Sequence, residues 1–131
     1  MNQFISQISL IIKDYDEAIN FYINKLGFEL IEDTERSPEK RWVRIKPKGD
    51  GSVTLLLAKA KNDEQMAHVG NQTGNRVFLF LHTDDIERDY QKLLANNVTI
   101  IRPPGEADFG KALVFADLYG NLWDLIEPKT A

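Results

Sequence analysis

Asp124 stands in "NLWDLIEP" with Trp123 before it and Leu125 after it, a lone carboxylate in an apolar run. Loss of hydration raises the pKa of such a group and makes it a candidate general base or an anchor for a bound molecule. The same setting suits a structural salt bridge or hydrogen bond, for example to Arg44 or Gln7, and the residue types leave the two roles level. Phe78 and Phe80, in "RVFLFLHT", are the rings expected around it. His82 closes that run and shares a strand face with Phe78 by alternation. Its imidazole is a residue type that can act as acid or base with Asp124, although a histidine without an evident partner more often satisfies backbone groups at a strand end. The other histidine, His68, lies in "KNDEQMAHVGNQTGN", a polar stretch that reads as a linker, with a mobile lid as the alternative.

Other chemistries lack their signatures. No Gly-rich phosphate loop, G-x-S-x-G elbow or helical zinc motif occurs, and the absence of cysteine removes thiol nucleophiles, thiolate metal sites and disulfides. Lys and Arg number 16 against 20 Asp and Glu, a net charge of -4 with the basic residues scattered, which argues against a nucleic-acid partner. The start "MNQFISQISLIIKDYDEA" has no basic leader, and no stretch approaches the roughly 18 apolar residues of a membrane span. The expectation is a cytoplasmic protein with no membrane partner, of a length suited to one domain with a sizeable core.

The elements that must position these residues come in two copies. "FISQISLII" reads as a strand, and then the period changes: Tyr15, Ala18, Ile19, Tyr22 and Leu26 recur at helical spacing, Asp14 can cap the start and Gly27 can end the helix. "FELIED", "RWVRIKP" and "SVTLLLAKA" follow as strands, separated by "TERSPEK" and the turn "KGDGS". In the second copy "RVFLFLHT" is a strand, Ile86, Tyr90, Leu93 and Leu94 mark a helix opened by Asp84 or Asp85, and "VTIIRPP", "KALVFAD" and "NLWDLIEP" complete the set. "LYG" with Gly120 makes a hairpin loop, and Pro103, Pro104 and Gly105 predict a turn before Phe109. Laying Asp14–Tyr15 over Asp85–Ile86 sets an offset of 71 residues. The chain is thus expected to be α+β, two tandem βαβββ modules over about 4–60 and 75–128 with a linker over about 61–74. Each sheet is expected to be covered by its own helix on one face, leaving the opposite faces to line a shared, partly closed cleft.

"DYDEAINFYINKLGF" in the first copy, with "HTDDIERDYQKL" and "FADLYGNLWDLIEP" in the second, resembles the vicinal oxygen chelate superfamily of glyoxalase I, bleomycin-resistance proteins, extradiol dioxygenases and fosfomycin-resistance enzymes. It is closest to a bacterial glyoxalase-like subgroup that also carries "RWVRIKPKG". The resemblance covers about Phe4 to Pro128 and implies a small-molecule ligand in the cleft and a homodimer. One scaffold in this superfamily serves several chemistries and binding alone, so a lactoylglutathione lyase, isomerase or dioxygenase activity is not implied by fold.

In the metal-dependent members each module supplies one ligand from its first strand and one from its last, and the ion polarises paired substrate oxygens. The resemblance carries these positions onto Gln7, Phe78 at the 71-residue offset, Asp124, and Thr54, the last preferred to Leu55. A phenyl ring offers no lone pair and a threonine hydroxyl is a poor ligand, so no metal and no other cofactor is expected, with a divalent ion as the alternative. The resemblance also places Arg44 and Trp42 beside the cleft, where a guanidinium next to an indole can hold an anionic or planar ligand; a solvated strand face is the plain alternative. Phe109, ahead of Gly110, is read as an aromatic lid or a core residue. The candidate ligand-binding residues are therefore Gln7, Trp42, Arg44, Thr54, Phe78, Phe80, Phe109 and Asp124, with Asp124 and His82 as catalytic candidates.

Overall fold

A computed structural model describes residues 1–51 and 53–129; Ser52, which ends the expected turn "KGDGS" and begins the expected strand "SVTLLLAKA", lies outside the described residues. The chain divides into two compact units, Met1–Val69 and Gly70–Ala131, each holding one four-stranded sheet.

The first unit runs β1 (Gln7–Ile12), α1 (Tyr15–Ile19) with a π-helical continuation (Asn20–Lys25), β2 (Glu29–Ser37), β3 (Lys40–Lys46), β4 (Thr54–Lys59) and a short α2 (Asp63–Ala67). Its sheet has the order β1-β4-β3-β2, with β1 parallel to β4 and the other pairs antiparallel. Asp14 caps α1, its carboxylate accepting from the Glu17 backbone N–H at 2.8 Å. Gly27, at φ 82°, ends the helical stretch in the left-handed region that glycine tolerates. The expected α-helix widens in its second half: the Leu26 N–H donates to the Phe21 carbonyl five residues back, a π-type bond at 3.1 Å. The wider turn keeps the neighbouring rings of Phe21 and Tyr22 both buried, edge-to-face at 5.2 Å. On the sheet, Leu10, Ile12, Val43, Ile45, Leu55 and Leu57 are buried, while their alternates Trp42, Arg44, Lys46, Thr54 and Leu56 are only partly so. That period of two is the expected division into a core face and a second, wetter face.

The second unit repeats the plan with β5 (Val77–His82), α3 (Ile86–Ala95), β6 (Thr99–Ala107), β7 (Gly110–Ala116) and β8 (Leu122–Pro128), in the order β5-β8-β7-β6 and with β5 parallel to β8. Asp85, not Asp84, caps α3, accepting from the Arg88 N–H at 3.0 Å, so the two caps stand at the expected offset. Trp123 and Phe115 stack with centroids 6.0 Å apart, and both are buried, as are the helix residues Ile86 and Leu93. The hairpin between β7 and β8 is held by Asp117, whose Oδ1 accepts from the backbone N–H groups of Tyr119, Gly120 and Asn121 and whose Oδ2 accepts from the Asn121 side chain. The fold is α+β with two βαβββ modules, and both sheets are open.

Three local expectations change. Pro103, Pro104 and Gly105 do not form a turn: they lie inside β6, and the reversal comes at Asp108–Phe109. β6 is an edge strand with a register shift between Arg102 and Gly105, where missing proline N–H groups cost no ladder bond. "TERSPEK" is likewise largely strand, since β2 extends to Ser37. Within the expected linker, Asn62 caps α2 by accepting from the Gln65 N–H at 2.8 Å.

Candidate functional site

In the first unit, Gln7 opens β1 and stands opposite Thr54 on β4. The Gln7 Oε1 accepts from the Thr54 hydroxyl at 3.1 Å and from the Arg44 Nε at 3.0 Å, while Arg44 Nη1 donates to Glu32 at 3.3 Å. Three of the expected ligand-binding residues thus come together on the face away from the core, joined by Glu32, which the sequence reading missed. Glu32 and Arg44 are register partners, a relation set by a bulged β2–β3 pairing and invisible in the local sequence. Trp42 lies on the same face two residues before Arg44, with the Arg36 guanidinium 5.8 Å from its ring centroid.

In the second unit, Asp124 occupies the centre of a cross-strand row, Phe80–Asp124–Val114–Arg102. Its exposure is 9%, and among the described residues its Oδ1 is the one buried side-chain polar atom with no hydrogen-bond partner. Burial pushes its pKa above the usual carboxylate value, and the Arg102 guanidinium partly offsets that rise. Arg102 is a second residue that sequence reasoning missed; only the register of β6 on β7 brings it into this row. Phe80, at 66% exposure, is a large apolar ring left in the open beside the buried carboxylate.

Phe78 departs from its expected place. β5 is bulged where the register passes from Val77 to Leu79, and the Phe78 ring meets Trp123 edge-on at 6.0 Å, a residue on the opposite face of β8 from Asp124. Strand alternation counted across that point therefore fails, and of the two rings expected around Asp124 Phe80 is the register partner while Phe78 turns to Trp123. His82 is exposed at the end of β5, paired with Ile126. Phe109 sits in the β6–β7 turn, 54% exposed, its carbonyl accepting from the Lys129 N–H at 3.0 Å, so it is no core residue. His68 follows the last turn of α2 and is exposed.

The four positions corresponding to metal ligands make a poor donor set. Phe78 has no lone pair, the Thr54 hydroxyl donates to Gln7, and the Gln7 oxygen already accepts two hydrogen bonds, one from a cation. Asp124 alone brings negative charge, and among the described residues no three His, Asp or Glu side chains are grouped so as to hold a metal ion. The residues present do not fit a divalent ion. The second unit offers instead an unsatisfied carboxylate oxygen beside an exposed phenyl ring, and the first unit, by itself, a polar chain of glutamine, threonine, arginine and glutamate.

A model of the Glyoxalase/Bleomycin resistance protein/Dioxygenase superfamily matches residues 4–125. An uncharacterized protein of Shewanella frigidimarina (strain NCIMB 400) is 54% identical over 128 residues, covering 97% of this chain and 95% of the relative. Among solved structures, UcmS2 aligns with a TM-score of 0.84 at 30% identity, covering 97% of this chain and 99% of its own. TnmS3, an antibiotic binding protein from Streptomyces sp. CB03234, aligns with a TM-score of 0.78 at 26% identity over 98% of each chain. With its sequence pattern, its two βαβββ units and nearly its whole length matched, the chain belongs to the glyoxalase/bleomycin resistance protein/dioxygenase superfamily.

Proposed function

We propose that this protein binds a small organic ligand without a divalent metal, as a binding or sequestering protein of the bleomycin-resistance kind. The observation that carries this reading is Asp124 Oδ1, buried and unpartnered beside the exposed Phe80. An orphan buried acceptor is costly, and a donor group of a bound ligand would satisfy it. The adjacent ring offers that ligand an apolar surface. The likeness to an antibiotic binding protein supports the same class of activity, and the poor donor set at Gln7, Thr54, Phe78 and Asp124 supports metal-free binding. We further place the protein in the cytoplasm, consistent with its lack of cysteine, and as a homodimer, to which the exposed Phe4, Ile5, Leu30 and Ile31 offer apolar surface.

The raised pKa of Asp124 favours a second reading, an enzyme of the superfamily that uses Asp124 as a base, with His82 as its acid or with a displaced metal. Elemental analysis and melting curves with nickel, zinc, manganese and iron separate the two. Metal-free binding requires no stoichiometric metal and no stabilisation by these ions. A saturable metal effect abolished in the Gln7→Ala/Asp124→Ala double variant replaces it with a metalloenzyme. Melting in a panel of aromatic antibiotics, bleomycin included, tests binding directly: a ligand at about 100 times its Kd raises stability by about 2.7 kcal/mol. The site assignment fails if stabilisation persists unchanged in both Asp124→Asn and Phe80→Ala.

A further inference from the structure

Asp124 shares its side of the second-unit sheet with one fixed positive charge. In the row Phe80–Asp124–Val114–Arg102, register partners on adjacent strands face the same way. A second row of charges lies on the opposite side: Glu106, Lys111 and Glu127 are register partners, and the Glu127 Oε1 accepts from the Ile86 N–H of α3 at 2.9 Å. Among the described residues, β5 to β8 therefore place only Asp124, Arg102 and, at the end of β5, His82 as ionisable groups on the side away from that row.

Arg102 is exposed, and among the described residues no hydrogen bond or ion pair holds either its guanidinium or the Asp124 carboxylate. The Arg102 charge acts on Asp124 without pairing with it. Their strands stand two spacings apart, about 10 Å. Between them β7 presents only Ala112, Val114 and Ala116 on this side, a low apolar floor. Two opposite charges separated in this way leave both demands open. An ammonium by itself satisfies the carboxylate and leaves the guanidinium unpaired, and a carboxylate by itself does the reverse; a molecule with both groups satisfies both and adds no net charge. Beyond Asp124, on the side away from Arg102, the exposed Phe80 ring extends the row.

We propose that the ligand of this site is a zwitterion of the aromatic amino-acid class, its ring on Phe80, its ammonium on Asp124 and its carboxylate on Arg102. The proposal rests on the assignment of Asp124 and Phe80 to a ligand site and names the chemistry of the molecule that fills it. The order of groups along such a ligand, apolar then cationic then anionic, is complementary to the order along the row. A guanidinium can give a carboxylate two parallel hydrogen bonds, and the two rings pack offset or edge to face.

The test uses the whole chain with L-phenylalanine, 2-phenylethylamine and 3-phenylpropionate, which carry both charged groups, the ammonium alone and the carboxylate alone. Calorimetric titration at pH 7 is expected to give phenylalanine about a tenfold advantage over either half-ligand, the effect of one additional charge-assisted hydrogen-bonded pair. In Arg102→Gln, phenylalanine is expected to bind no better than phenylethylamine, whose own affinity stays as it is in the parent. In Asp124→Asn, phenylalanine is expected to bind no better than phenylpropionate. A general disturbance of the sheet would weaken all three compounds together and leave their ratios in place. A phenylalanine affinity no greater than that of the better half-ligand, or an advantage that survives Arg102→Gln, overturns the zwitterion, while Asp124-dependent binding of phenylethylamine still keeps the ligand site. Absence of binding by all three compounds overturns the zwitterion too; the ligand site itself is judged separately, by whether stabilisation by an antibiotic depends on Asp124 and Phe80.

Discussion

Asp124 and Phe80 are register partners across the β5–β8 ladder, yet the carboxylate is 9% exposed and the ring 66%. The usual arrangement is inverted: the polar group is enclosed without a partner and the apolar group faces water. Folding alone gives no reason to keep either.

Replacing Asp124 by Asn is expected to stabilise the protein. Burial raises the Asp124 pKa above its ordinary 3.8, so the native state holds a proton that the unfolded chain gives up more readily. The stability contributed by the protonated group is fully present below the unfolded-state pKa and is lost as pH rises through the folded-state pKa. The melting temperature of Asp124→Asn relative to the parent should therefore grow with pH from about pH 4 upward and then level off. At neutral pH the gain from removing a buried charge that Arg102 only partly compensates is expected to be about 1 kcal/mol. Thermal melts across pH 3–8 check this; a difference that stays flat or shrinks with rising pH removes the orphan carboxylate from the account.

Phe80→Ala should leave the fold almost untouched, within about 0.5 kcal/mol, because a ring this exposed contributes little to the core. Its effect is expected in ligand binding. Denaturant titration and binding measured on the same variant decide the matter, since a loss of more than about 1 kcal/mol in stability would make Phe80 a packing residue.

The Gln7–Thr54 and Gln7–Arg44 hydrogen bonds share one acceptor oxygen, so their losses should not add. Gln7→Leu is expected to cost about 1 kcal/mol, and Thr54→Val in the Gln7→Leu background much less than in the parent, with a coupling of about 0.5 kcal/mol. A double-mutant cycle in urea measures this directly. Strict additivity would mean that the shared acceptor carries no energy.

Asp117→Ala is expected to be among the most damaging single changes. It leaves the backbone N–H groups of Tyr119 and Asn121 and the buried Asn121 amide without their carboxylate acceptor, while the Gly120 N–H keeps the Asp117 backbone carbonyl at 3.1 Å. The cost should reach about 3 kcal/mol, and Asp117→Asn, which keeps one acceptor oxygen, should recover part of it. Circular dichroism melts of both variants are the check.

Gly110→Ala separates local strain from turn preference. Gly110 has φ 142°, and a Cβ there would lie 2.1 Å from the Glu127 carbonyl oxygen, so backbone would have to move. A loss above about 2 kcal/mol is expected, well beyond the usual penalty for a side chain in an exposed turn. Melting of this variant beside Gly49→Ala, whose Cβ meets nothing within 4 Å, makes the comparison.

The sequence by itself determined what depends on near neighbours in the chain. The cap Asp14, a second cap at Asp84 or Asp85, the stop at Gly27, the alternation of Val43 and Ile45 against Trp42 and Arg44, and the duplication at an offset of 71 residues follow from local hydrogen bonding and from the periods of helix and strand. The family resemblance rested on the same local features. Tertiary structure decided the rest, because pairing register is set by contacts between strands far apart in the chain and a single bulge redirects the residues around it. That is why Phe78 turned to Trp123 and left Phe80 alone of the two expected rings opposite Asp124, why Arg102 and Glu32 entered the two polar clusters unannounced, and why two prolines that signal a turn lie in an edge strand. The orphan oxygen of Asp124 belongs to this second class: whether a buried carboxylate finds a donor depends on which side chains three other strands bring alongside it, and no local pattern encodes that.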